Sequence, residues 1–169
     1  MDAPTTGGEY SRNPTIDDLV ELCRHLNTCN ARYVIIGGFA MIHHGYVRTT
    51  ADIDLLVESD ESNVARIKAG LMYLPDKAAR EIEDGDVRIY TVVRISDEIV
   101  IDLLSKACEV SFDDAKHHVE VESIRGVNIP YVTAEVLLKT KQGLRAQDVQ
   151  DRMYLEQLLN NRRSRSETI

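Results

Sequence analysis

Residues 33–58, YVIIGGFAMIHHGYVRTTADIDLLVE, decide how the chain is read. The apolar, β-branched run from Ala31 to Ile36 stops at Gly37-Gly38, which reads as a strand feeding a tight turn. Phe39 to His44 reads as a short helix closed by Gly45. From Asp52 to Glu58, Ile53, Leu55 and Val57 alternate with Asp52, Asp54, Leu56 and Glu58, the pattern of a strand with two distinct faces. Asp52 and Asp54 therefore project from one face. Two carboxylates so close repel each other unless a proton or cation lies between them. Hard oxygen ligands at that spacing suit Mg²⁺ or Mn²⁺. An exposed edge strand carries the same pair without function, so the pair alone decides nothing.

Working outward, Leu19, Leu22, Cys23 and Leu26 recur at helical spacing between Thr15 and Cys29, with Thr15 and Asp18 placed to cap the helix. Downstream, Glu61 to Tyr73 is amphipathic. Asp86 to Arg94 and Glu98 to Leu104 read as two strands with Ser96-Asp97 near their turn. His118 to Glu122 and Val127 to Val132 suggest a shorter pair around Arg125-Gly126, and Ala134 to Arg163 one or two helices broken at Gly143. This order predicts an α/β or α+β fold, a mixed sheet flanked by helices with further helices at the C-terminus. Residues 1–14 are expected to be a frayed tail, residues 15–163 one domain, and residues 164–169 a solvated tail.

Two further features bear on the aspartates. Asp102 interrupts the apolar run Ile99-Val100-Ile101-Asp102-Leu103-Leu104, where a lone carboxylate is costly unless paired or metal-bound. It is either a buried salt bridge to an arginine or a third ligand beside Asp52 and Asp54. The glycines let backbone approach a ligand closely, as phosphate sites require, although a Gly-Gly after a strand is also an ordinary turn. His43 and His44 lie close by, but adjacent helical residues point in different directions, and they read as packing or surface residues.

Ile35-Ile36-Gly37-Gly38, then Asp52-Ile53-Asp54, then Asp102 in an apolar strand resembles the DNA polymerase β-like nucleotidyltransferase superfamily. The stretch Gly37 to Val57, with Arg48-Thr49-Thr50-Ala51 before Asp52, looks like the small bacterial branch that includes the AbiEii-type toxins of toxin–antitoxin systems. Lys139, Arg145, Asp148 and Asp151 resemble the Lys…Arg-x-x-Asp-x-x-Asp pattern closing many of these enzymes. The similarity spans roughly residues 31 to 155.

The resemblance implies a two-metal transfer of a nucleoside monophosphate from a nucleoside triphosphate such as ATP to an acceptor hydroxyl on RNA (tRNA included), protein or a small molecule. It makes Asp52, Asp54 and Asp102 the ligands of Mg²⁺ or Mn²⁺. It places the triphosphate on Gly37, Gly38, Arg48, Thr50, Lys139 (or Lys141) and Asp148. It also adds a cognate toxin or antitoxin protein to the partners considered. One departure is Gly38, where many members carry a serine whose hydroxyl meets a phosphate oxygen.

Composition narrows the alternatives. A length of 169 residues with 43% hydrophobic content is enough for one packed domain. Cys23, Cys29 and Cys108 lack metal-ligand spacing and read as free thiols of a cytoplasmic protein. No apolar run reaches the roughly 18 residues of a membrane span. A net charge of −8 argues against general coating of nucleic acid. Three other readings stay open: a metal-dependent phosphohydrolase, a degenerate nucleotide-binding or antitoxin module, and plain surface charge.

Overall fold

The computed structural model describes residues 10–168, so residues 1–9 of the expected N-terminal tail and Ile169 lie outside the described residues. Helix α1 (Ile16–Thr28) begins at a capping box: the Thr15 hydroxyl accepts from the Asp18 N–H while the Asp18 carboxylate accepts from the Thr15 N–H. Strand β1 (Tyr33–Ile36) is buried at all four positions. It runs straight into α2 (Gly37–His43), so the glycines form the first turn of a helix rather than a separate loop. Strand β2 (Asp52–Val57) follows, then α3 (Glu61–Leu71), capped by the Asp60 carboxylate.

The middle of the chain differs from the expected long strand over residues 86–94. Gly85, at φ 91°, and the Asp86 carboxylate, which accepts from the Glu83 N–H, turn the backbone into a single helical turn, α4 (Asp86–Ile89). Only Val93–Ser96 form strand β3, which pairs with β4 (Val100–Leu104) around the expected turn. A small hairpin of β5 (Lys106–Ala107) and β6 (Val110–Ser111) leads to α5 (Phe112–Ala115). Strands β7 (Val119–Ile124) and β8 (Val127–Val132) pair around Arg125-Gly126. Helices α6 (Ala134–Thr140) and α7 (Ala146–Ser166) end the domain, and Gly143 lies between them as expected.

The six long strands make one mixed sheet in the order β3-β4-β2-β1-β8-β7. The β2–β4 and β1–β8 pairs are parallel and the other three antiparallel. Helices flank this sheet, which is the architecture the sequence predicts. Leu19, Leu22 and Leu26 of α1, Ile67 and Leu71 of α3, and Ile53 and Leu55 of β2 are fully buried. Each such side chain stabilises the fold by roughly 1.5–3 kcal/mol through removal of apolar surface from water.

Residues 11–14 and 164–166 of the expected tails are more ordered than the sequence suggests. The Ser11 hydroxyl donates to the Asp97 carbonyl at 2.7 Å, and the Arg12 N–H donates to the Glu98 carbonyl at 2.9 Å. Pro14 is buried. These residues strap the β3–β4 turn, using polar groups that composition alone marks as a tail. At the other end α7 continues through Ser164 to Ser166, inside the expected tail. No helix among the described residues is long and apolar enough to cross a membrane.

Candidate active site

Parallel pairing of β2 with β4 sets Asp54 level with Asp102, and Asp52 lies one pleat away on the same face. Ligand oxygens of Asp52, Asp54 and Asp102 consequently fall within 4.8 Å of one another. The first turn of α2 presses onto this cluster. Gly37 has φ 67°, and a Cβ built there would lie 1.9 Å from Asp54 Oδ2. Only glycine combines that left-handed backbone with so close an approach to the carboxylate. At Gly38 a Cβ would lie 2.5 Å from Thr50 Oγ1. Thr50, not a serine at 38, brings a hydroxyl to this spot, and it donates to the Asp52 carbonyl at 3.0 Å.

The cluster is electrostatically loaded. Burial, then repulsion from Asp52 and Asp102, pushes the Asp54 carboxyl up to about 8. Burial and the nearby Asp102 also raise Asp52, with Arg94 opposing the shift. Arg94 projects from β3 directly opposite Asp102. Its Nε donates to Asp102 Oδ1 at 2.9 Å, and its Nη2 donates to Asp102 Oδ2 at 2.8 Å and Asp52 Oδ2 at 3.2 Å. The salt-bridge alternative for Asp102 is therefore present in the structure, with Arg94 as the partner. Yet its hydrogen bonds to the cluster run to Asp52 and Asp102, while Lys141 and Arg145 act on the cluster from farther off. An all-oxygen donor set with surplus negative charge fits Mg²⁺ or Mn²⁺.

The carboxylates floor a cleft of about 640 Å³ whose lining includes Gly38, Arg48, Thr50, Lys141, Arg145 and Asp148. That volume lies within the usual range for small-molecule sites. The cations are anchored from α7. Asp151, fully buried, accepts from Lys141 Nζ at 2.9 Å, Arg48 Nη2 at 3.2 Å and Gln147 at 2.9 Å. Asp148 accepts from Arg145 Nε at 3.0 Å, and its other oxygen stands 3.9 Å from Lys141 Nζ. These aspartates are thus buried anchors rather than charges on a solvated helix. Arg48 Nε is buried without an acceptor among the described residues, a donor left for something else in the cleft.

Of the residues singled out from sequence, Asp52, Asp54, Asp102, Gly37, Gly38, Arg48, Thr50 and Asp148 come together here. Lys139 does not: it is exposed on α6 and does not line the cleft. Helix α6 ends at Thr140, and the chain turns Lys141 inward to take that place. Sequence reading missed Arg94 and Asn13, which also line the cleft. Arg94 had a signal, since a hairpin centred on residue 98 sets 94 across from 102.

No family model matches the chain, and no curated protein does. The crystal structure of an antigenic nucleotidyltransferase-like protein from Paracoccidioides brasiliensis is similar, with a TM-score of 0.53 and 17% identity over 86% of this chain and 78% of that one. The chain has a nucleotidyltransferase-like fold. In this nucleotidyltransferase-like frame the acidic cluster sits where two parallel strands and a glycine-led helix meet, on the floor of the cleft.

Proposed function

We propose that the chain is a metal-dependent nucleotidyltransferase that moves a nucleoside monophosphate from a nucleoside triphosphate to an acceptor hydroxyl. The observation that carries this reading is the convergence of Asp52, Asp54 and Asp102 beneath Gly37, on the floor of a cleft walled by Arg48, Lys141 and Arg145. Mg²⁺ or Mn²⁺ held by the three carboxylates would supply charge neutralisation at the attacking and leaving oxygens. Arg48, Lys141 and Arg145 hold the triphosphate and offset charge on the departing pyrophosphate. Gly38 leaves room for the Thr50 side chain to pack against the first turn of α2, and both residues line the cleft that receives the phosphates. Asp102 takes the proton of the acceptor hydroxyl. A bond then forms from that oxygen to the α-phosphorus, and the bond from the α-phosphorus to the bridging oxygen breaks.

The acceptor belongs to RNA, protein or a small molecule. Similarity of residues 37–57 to toxin enzymes supports a place in a toxin–antitoxin pair with a cognate protein partner. Incubation of the purified chain with each labelled nucleoside triphosphate, Mg²⁺ or Mn²⁺ and fractionated lysate tests the proposal. Label passing to one fraction, and not with Asp54→Asn, is the expected result. Absence of transfer with every nucleotide and metal would overturn it.

A second reading is favoured by one observation: the Arg94 guanidinium lies between Asp52 and Asp102, where a cation would neutralise them. A binding module with a decayed site would keep that bridge permanently. It predicts nucleotide binding without transfer, in the same experiment.

A further inference from the structure

At the opposite end of α2 from its glycines lies a second cluster, about 10 Å along the helix axis at 1.5 Å per residue. We propose that His43, His44 and Glu120 form a separate site for a zinc-class transition-metal ion. Their ligand atoms lie within 4.8 Å of one another. His43 Nε2 is 3.0 Å from Glu120 Oε2, and His44 Nδ1 is 3.9 Å from the same oxygen. Bonds of about 2.0–2.1 Å around tetrahedral zinc put neighbouring ligand atoms roughly 3.3 Å apart. The two separations bracket that edge, so modest side-chain movement closes the site.

The surroundings orient both rings as ligands. The Val132 carbonyl can only accept, so His44 Nε2, 2.8 Å away, carries the proton. In the neutral ring this leaves the Nδ1 lone pair directed at the Glu120 side. Burial favours that neutral form. His43 Nδ1 meets Glu122 Oε2 at 3.1 Å while its Nε2 meets Glu120. A neutral imidazole has one N–H and cannot donate to both carboxylates. Donation from Nδ1 to Glu122 frees Nε2 for a metal, the carboxylate–histidine–metal arrangement that fixes a ligating ring. Tyr131, stacked 4.0 Å from His43, holds the ring plane.

Other charges do not close the site. Arg162 acts on His44 from α7 and opposes a cation, whereas Glu120 and Glu122 both favour one. Two imidazoles and a carboxylate are the donor set of three-ligand zinc sites with a fourth position open, and a poor one for Mg²⁺. Glu120 is 43% exposed, so an ion can reach its carboxylate from solvent. Sequence gave only adjacent histidines. The partner carboxylates come from β7, 77 and 79 residues away.

The test uses the metal-free 169-residue chain with exposed thiols alkylated, because free Cys108 would also take zinc. Excess Mg²⁺ is kept present to occupy the acidic cluster. Zn²⁺ is titrated against a chromogenic chelator, and ¹H–¹⁵N spectra of ¹⁵N-histidine protein report the ring nitrogens. We expect one equivalent to bind and to shift His43 Nε2 and His44 Nδ1. Glu122→Gln should weaken binding about 10–100-fold through lost orientation of His43, and Glu120→Gln by at least as much. Both positions are exposed enough for the variants to fold, which circular dichroism checks. No zinc binding, or binding that folded Glu120→Gln and His43→Gln variants retain in full, would overturn the proposal and leave a histidine–glutamate clamp between α2 and β7.

Discussion

Asp54→Asn should stabilise the metal-free protein while abolishing transfer. In the folded state the Asp54 carboxyl is raised from 3.8 to about 8, first by burial and then by Asp52 and Asp102. A raised acid pKa means that stability declines as pH climbs from the unfolded value towards the folded one, because folding must keep a proton that the unfolded chain releases. At pH 7 the gap spans about three units, and at ~1.4 kcal/mol per unit the penalty has an upper limit of about 4 kcal/mol. Asp52 is raised as well and its repulsion is part of the Asp54 shift, which spreads the effect, so a gain of about 1–3 kcal/mol is expected at pH 7. Urea unfolding in EDTA at about pH 5 and about pH 8 reads it directly. The variant's advantage should be small at the lower pH and grow with rising pH. Saturating Mg²⁺ with nucleotide should reverse the order, since only the parent gains by binding. Transfer should fall by at least about 100-fold, as when an electrostatic transition-state group is lost. A pH-independent difference, or a variant less stable at every pH, would refute this account and make Asp54 a structural partner.

Three further outcomes follow from the same geometry. Gly37→Ala combines a left-handed backbone with a collision against Asp54, so urea unfolding should show a loss of roughly 1–3 kcal/mol or more, with nucleotide binding lost by calorimetry. Arg94→Gln frees Asp52 and Asp102; because Arg94 is half-exposed, metal-free stability should fall by only about 1–2 kcal/mol, and Mg²⁺ should bind more tightly in isothermal titration. Tighter Mg²⁺ binding together with transfer would count against the decayed-site reading. Lys141→Met leaves buried Asp151 short of a cation and should cost about 3 kcal/mol in denaturation, whereas Lys139→Met should stay within about 0.5 kcal/mol and keep transfer intact.

The sequence by itself determined the two strands that carry the aspartates. Asp52 and Asp54 share a face because side chains alternate along a strand, and Asp102 stands out because a carboxylate in an apolar run needs a partner. Capping at Thr15 and the break at Gly143 are equally local, and local geometry is legible in one dimension. Tertiary structure alone decided which partners those carboxylates have. Parallel pairing brings Asp102 to Asp54, and antiparallel pairing brings Arg94 to Asp102. The end of α6 at Thr140 selects Lys141 over Lys139, and the polar segment from Ser11 is tied down by a turn more than eighty residues away. His43 and His44 gain chemical meaning only when β7 lays Glu120 and Glu122 beside them. Apart from the Arg94–Asp102 register, which the hairpin spacing carries, each of these depends on strand order and chain path, which fix distances between residues far apart in sequence and leave no mark on spacing or composition.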